Sequence, residues 1–180
     1  MTVAEAQREV RDVYLHGAVG QLVSGMIWLT SAALGTWVGT KQAILALVVG
    51  GMFIFPLTQL ALRLAGRPFS LGAANPLRHL AMQIAFIVPL TLPVAGAAAL
   101  HNVNWFYPAV LVLVGAHYLP FVFLYGMGQY AVLAGAMLGG GVALGFAMPT
   151  AFTPGGWLGG TLLLAFAVWA NALRRSGRAG

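Results

Sequence analysis

Residues 20–55, GQLVSGMIWLTSAALGTWVGTKQAILALVVGGMFIF, decide the fold. The single charged side chain in the stretch is Lys41, close to Gly39. The apolar runs on either side extend to about 20 residues or more, the length a helix needs to cross a hydrocarbon core. Two such runs joined at a glycine read as a membrane hairpin, because in lipid a helix satisfies its own backbone.

Working outward, the same pattern recurs. The six expected spans are Val13–Val38, Gln42–Ala65, Leu77–Leu100, Phe106–Met127, Gln129–Met148 and Gly155–Leu173. Glycine and proline mark the gaps at Gly39, Gly66-Arg67-Pro68, Asn75-Pro76, Gly126 with Gly128, and Pro149 to Pro154. Merging the fourth and fifth spans would create a helix of over about 40 residues, too long for a bilayer. Composition agrees: 60% of residues are hydrophobic and 7% charged, against about 25% charged in a soluble domain. The fold class is all-α membrane with six transmembrane helices. Residues 1–12 form an N-terminal segment, 13–174 the membrane domain and 175–180 a basic tail.

The basic residues set the orientation. With the N-terminus inside, the cytoplasmic segments hold Arg8, Arg11, Arg63, Arg67, Arg78, Arg174, Arg175 and Arg178, and the external loops hold only Lys41. This bias places both termini in the cytoplasm and requires an even number of spans. The expected setting is the cytoplasmic membrane of a bacterium. The net charge of +6 therefore points to anionic headgroups rather than nucleic acid. Trp105 and Tyr107, with Trp37 and Trp157, are the expected aromatic anchors on the external side. Glu5, Arg8, Glu9, Arg11 and Asp12 precede any apolar run, which is unlike a signal peptide. Val3, Gln7, Val10 and Tyr14 recur near helical spacing. They read either as an amphipathic lead-in lying on the membrane or as a frayed tail.

Gly51-Met-Phe-Ile-Phe-Pro56 in the second span and Gly115-Ala-His-Tyr-Leu-Pro120 in the fourth suggest a repeated hairpin, against chance. Pro56, Pro89, Pro93 and Pro120 are kinks that act as hinges or as static packing features. Span five carries Gly135, Gly139, Gly140, Gly141 and Gly145, and span six opens with Gly155, Gly156, Gly159 and Gly160. Gly17, Gln21 and Gly25 recur on span one. Small residues at such spacing serve close packing within the bundle or a homo-oligomer seam. The hairpin at residues 20–55 resembles the unit of HdeD-like acid-stress membrane proteins. That resemblance implies six helices in three hairpins and implies no site. Span three, with two prolines, departs from it.

All three acids, Glu5, Glu9 and Asp12, lie before the first span, and there is no cysteine. An intramembrane carboxylate relay, a carboxylate-bridged metal centre and thiol chemistry are thereby excluded. His-Glu-x-x-His, Gly-x-Ser-x-Gly and nucleotide-binding motifs are also missing. No catalytic residue and no cofactor is expected.

Amides, imidazoles and arginines remain. On ideal helices Gln21, Gln59 and Gln83 lie roughly 9–12 Å in from the cytoplasmic end. Arg63 and His79 stand one turn nearer that end on the faces of Gln59 and Gln83. His16 enters at a similar level. His117, Tyr118 and Tyr125 lie on span four. Gln21, Gln59, Arg63, His79, Gln83, His117 and Tyr118 would together line a cytoplasmic vestibule for a polar neutral or anionic solute, as in a small permease. The alternative is a dry bundle in which the glutamines are packing glue and the protein is a stress, scaffold or accessory subunit. A haem held by His117 with His16 or His79 is a third reading, set against by their different depths.

Overall fold

The computed structural model describes residues 1–68 and 70–177. Arg178, counted above in the basic tail, lies outside the described residues. Among the described residues there are seven α-helices: α1 (Val3–Val13), α2 (Ala18–Trp37), α3 (Thr40–Leu64), α4 (Leu77–His101), α5 (Phe106–Tyr125), α6 (Gln129–Ala147) and α7 (Pro154–Ser176). Short 3-10 turns precede α2 (Leu15–Gly17) and α5 (Val103–Trp105). Six stretches are long and apolar enough to cross a membrane: α2 to α7, two of them with their leading 3-10 turn. The helix ends fall within a few residues of those read from the sequence, apart from the start of the first span.

That start is broken. Leu15, His16 and Gly17 have φ of 50°, 59° and 81°. Three consecutive left-handed residues, two of them with a Cβ, turn the chain sharply between α1 and α2. Tyr130 holds the turn by donating to the His16 carbonyl at 3.2 Å. Gly17 is obligatory, since a Cβ there would collide with the Tyr130 hydroxyl.

The amphipathic reading of residues 3–14 needs correcting in its target. α1 is a fixed helix, started by a reciprocal cap in which Thr2 and Glu5 bond each other's backbone N–H. Its apolar face docks on the protein: Ala6 and Val10 are 0% exposed. Its polar side chains satisfy the end of α5, where the last carbonyls of a helix lack intrahelical donors. Gln7 Nε2 donates to Phe123 O and Arg11 Nη1 to Tyr125 O, both at 2.6 Å. Glu9 accepts from the Gly72 N–H and from Asn75 Nδ2, at 2.6 and 2.9 Å. α1 thus lies across the arginine-rich end, tied to the α3–α4 loop and to α5.

The six spans form an open ring. α3 packs on α2, α2 on α7, α7 on α6, α6 on α5 and α5 on α4. Among the described residues no comparable interface joins α4 back to α3. The three consecutive hairpins are unequal, because α6 and α7 pack together less extensively than α2 with α3 or α4 with α5. Glycines make the close approaches: a Cβ at Gly159 would overlap the Trp28 ring, and one at Gly141 would lie 2.7 Å from Pro108 O. Others on α6 have a different setting. Gly135 and Gly139 have nothing within 4 Å of a would-be Cβ. Tyr107 is also not the surface anchor expected. It is fully buried, sharing a 2.6 Å hydrogen bond with Ser31, whose hydroxyl donates to Ala43 O.

Candidate intramembrane ligand cleft

The open side of the ring leads into a cavity of about 370 Å³ walled by α2, α3, α4 and α5. Its rim is exposed: Gly51, Met52 and Phe55 on α3 face Ala85 and Pro89 on α4. Prolines stand on both sides of this mouth. A proline has no N–H, so Pro56 leaves the Met52 carbonyl without its helical donor, and Pro89 does the same to Ala85. Both freed carbonyls belong to rim residues. Deeper in, the lining is largely apolar, with Trp28, Leu47, Val88 and Val114 among its members.

A few polar groups converge on this apolar chamber. Gln21 comes from α2, one turn beyond the left-handed turn. Its Oε1 accepts from Tyr118 Oη of α5 at 2.7 Å, and both residues are buried. Ser24 lies against the Tyr118 hydroxyl and Tyr130 against the Gln21 amide. This bridge joins α2 and α5 where their backbones stand apart. Gln59 of α3 and His117 of α5 also line the cavity. Gln59 Oε1 and His117 Nδ1 are both buried without a hydrogen-bond partner. The His117 ring is placed by its contact with the Ile84 backbone carbonyl across the α4–α5 interface. An unsatisfied buried acceptor costs about 1–3 kcal/mol. Both of these atoms belong to residues that line the one cavity.

The structure brings Gln21, Gln59, His117 and Tyr118 to this chamber and leaves Arg63, His79 and Gln83 outside its lining. All three of the latter are exposed. Gln83 fails for an angular reason. Ala81 and Ala85 line the cavity, and a residue midway between them lies about 200° around the helix from each. Depth along the axis matched, but azimuth did not. Arg63 stands one turn beyond Gln59, past the end of the chamber. His16 and His117 line different cavities and His79 is exposed outside both, so neither histidine pairing considered for haem shares a chamber. Tyr14, Ser24 and Thr58 also line the cleft. The sequence does not mark these three as cleft residues, since single hydroxyls are common on packed membrane helices.

Six apolar helices arranged as an open ring, with a chamber entered between two of them, define a polytopic membrane protein with an intramembrane cleft. The chain belongs to DUF7010, a family of unknown function, which it matches over residues 3–172. No curated protein and no solved structure matches it.

Proposed function

We propose that this protein is a small permease-like binding protein that takes a neutral amphipathic molecule from the bilayer through the gap between α3 and α4. The observation that carries the reading is the pair of unpartnered acceptors, Gln59 Oε1 and His117 Nδ1, in an otherwise apolar chamber. His117 lies against the Ile84 backbone, and its unpartnered Nδ1 serves as an acceptor in the tautomer that carries the proton on Nε2. Both atoms then call for hydrogen-bond donors, as do the freed rim carbonyls. A hydroxyl or amide head with an apolar body meets these demands. Of the two solute classes expected from the sequence, we favour the neutral one, because no arginine or lysine lines the cleft to balance an anion's charge. The arginine-rich end is taken as cytoplasmic, and no chemical step is assigned to the cleft.

Binding of a monoacylglycerol probe to the purified protein, followed by native mass spectrometry, tests the reading. Gln59→Leu and His117→Ala each weaken binding by about three- to tenfold, the value of one hydrogen bond, while Gln83→Leu has no effect. Equal binding by all variants would remove the role of the two acceptors. The scaffold alternative is favoured by one observation: Ala131, Gly135, Gly139 and Ala143 form an exposed small-residue line along α6. Crosslinking through this face without any monoacylglycerol binding would support that alternative instead.

A further inference from the structure

A second cavity, of about 600 Å³, lies at the arginine-rich end and is independent of the intramembrane cleft. Four arginines from three segments line it: Arg8 and Arg11 from α1, Arg67 from the α3–α4 loop and Arg174 from α7. Asp12 is the carboxylate among its lining residues, so the local formal charge is 4 − 1 = +3. Like charges drawn together from separate parts of a chain repel one another, and an anion between them converts that repulsion into attraction.

Two observations mark the basin as more than a charged surface. Arg11 is 8% exposed and pinned through Nη1 to the Tyr125 carbonyl. Its guanidinium is thus desolvated and pre-oriented, with a neutral partner. Burial also pushes it below arginine's ordinary pKa, the mark of a cation short of compensation. His16 is 7% exposed, lines the same basin and keeps a buried Nδ1 with no partner. The left-handed turn sets His16 among the residues that line the basin. Guanidinium forks around a buried imidazole match a phosphate, whose several oxygens accept from separate donors and whose remaining hydroxyl can donate to Nδ1.

We infer that this basin binds a phosphate group, carried either by a lipid headgroup or by a soluble phosphate. An occupant bridges α1, the α3–α4 loop and the end of α7. It thereby clamps α1 across the bundle end.

The test uses the full chain and two probes. Inorganic phosphate is titrated calorimetrically into detergent-purified protein, and retention of phosphatidic acid over phosphatidylcholine is read by native mass spectrometry from nanodiscs. Arg8→Ala and Arg67→Ala alter exposed side chains and leave the fold intact, which an unchanged melting temperature verifies. Arg67→Lys is the conservative companion. Arg175→Ala, an exposed arginine outside the lining, is the control. Saturable binding weakened about fivefold or more by Arg8→Ala and Arg67→Ala, less by Arg67→Lys and not by Arg175→Ala, supports the site. Calorimetric binding of inorganic phosphate identifies a soluble source, and selective retention of phosphatidic acid alone identifies the headgroup. Failure of both probes to bind, or an equal loss in Arg175→Ala, overturns the inference.

Discussion

Gly17→Ala perturbs the point on which the arginine-rich end depends. An alanine held at the φ of 81° found there costs about 1–2 kcal/mol. Its Cβ would also displace the Tyr130 hydroxyl, which donates to the His16 carbonyl. Losing that bond adds about 0.5–1.5 kcal/mol. Together the two terms come to about 1.5–3.5 kcal/mol. The loss falls first on α1, because its other ties are one small buried face and a few hydrogen bonds to the α3–α4 loop and the end of α5. Local opening of that size raises the undocked population about 10-fold or more. The assay is limited trypsin digestion, with cleavage after Arg8 and Arg11 followed by mass spectrometry. Under conditions where reclosing outpaces cleavage, the rate tracks that population. Adding Tyr130→Phe removes the colliding oxygen, so Gly17→Ala/Tyr130→Phe is cut more slowly than Gly17→Ala alone. Wild-type cleavage rates in Gly17→Ala would refute the reasoning, as would a double variant no better protected than the single.

Two further outcomes follow from packing and charge. Gly159→Ala, whose Cβ meets Trp28, lowers stability in detergent unfolding by about 1–3 kcal/mol, whereas Gly139→Ala, with open space around it, leaves it unchanged. The bonds from Thr2 hold the Glu5 carboxyl below its ordinary pKa. The cap's contribution is therefore present at neutral pH and lost as pH falls through the lowered folded-state value. Hydrogen exchange across residues 3–8 at pH 7 and pH 3 shows that loss in the wild type and a smaller difference in Glu5→Gln.

The six spans were legible because bilayer thickness imposes a length, and each run from Gly20 onward declares it. Gln21 and His117 were also legible, since a polar residue in such a run is costly and needs a reason. The order of the helices around the ring was not. Any apolar helix face can meet any other, so nothing local told α2 to pack on α7 or α3 to leave α4 alone. Gln83 was misplaced for a related reason: a register along the axis does not fix the angle around it until the packed face is known. The spacing of Val3, Gln7 and Val10 fits a membrane surface as well as a protein surface. Only the carbonyls ending α5 and the loop at Asn75 reveal which one α1 chose. The arginine basin is assembled from residues 8, 11, 67 and 174, too far apart in sequence to be read as one site.

The central claim is an occupied cleft between α3 and α4, and Trp28, 2% exposed and lining it, reports on that directly. With Trp37, Trp105, Trp157 and Trp169 changed to phenylalanine, a monoacylglycerol brominated on its chain is titrated into reconstituted protein. The account predicts saturable quenching of Trp28, competed by unbrominated monoacylglycerol and weakened by Gln59→Leu and His117→Ala. Quenching no greater than that produced by brominated bulk phospholipid, and indifferent to both substitutions, would contradict it.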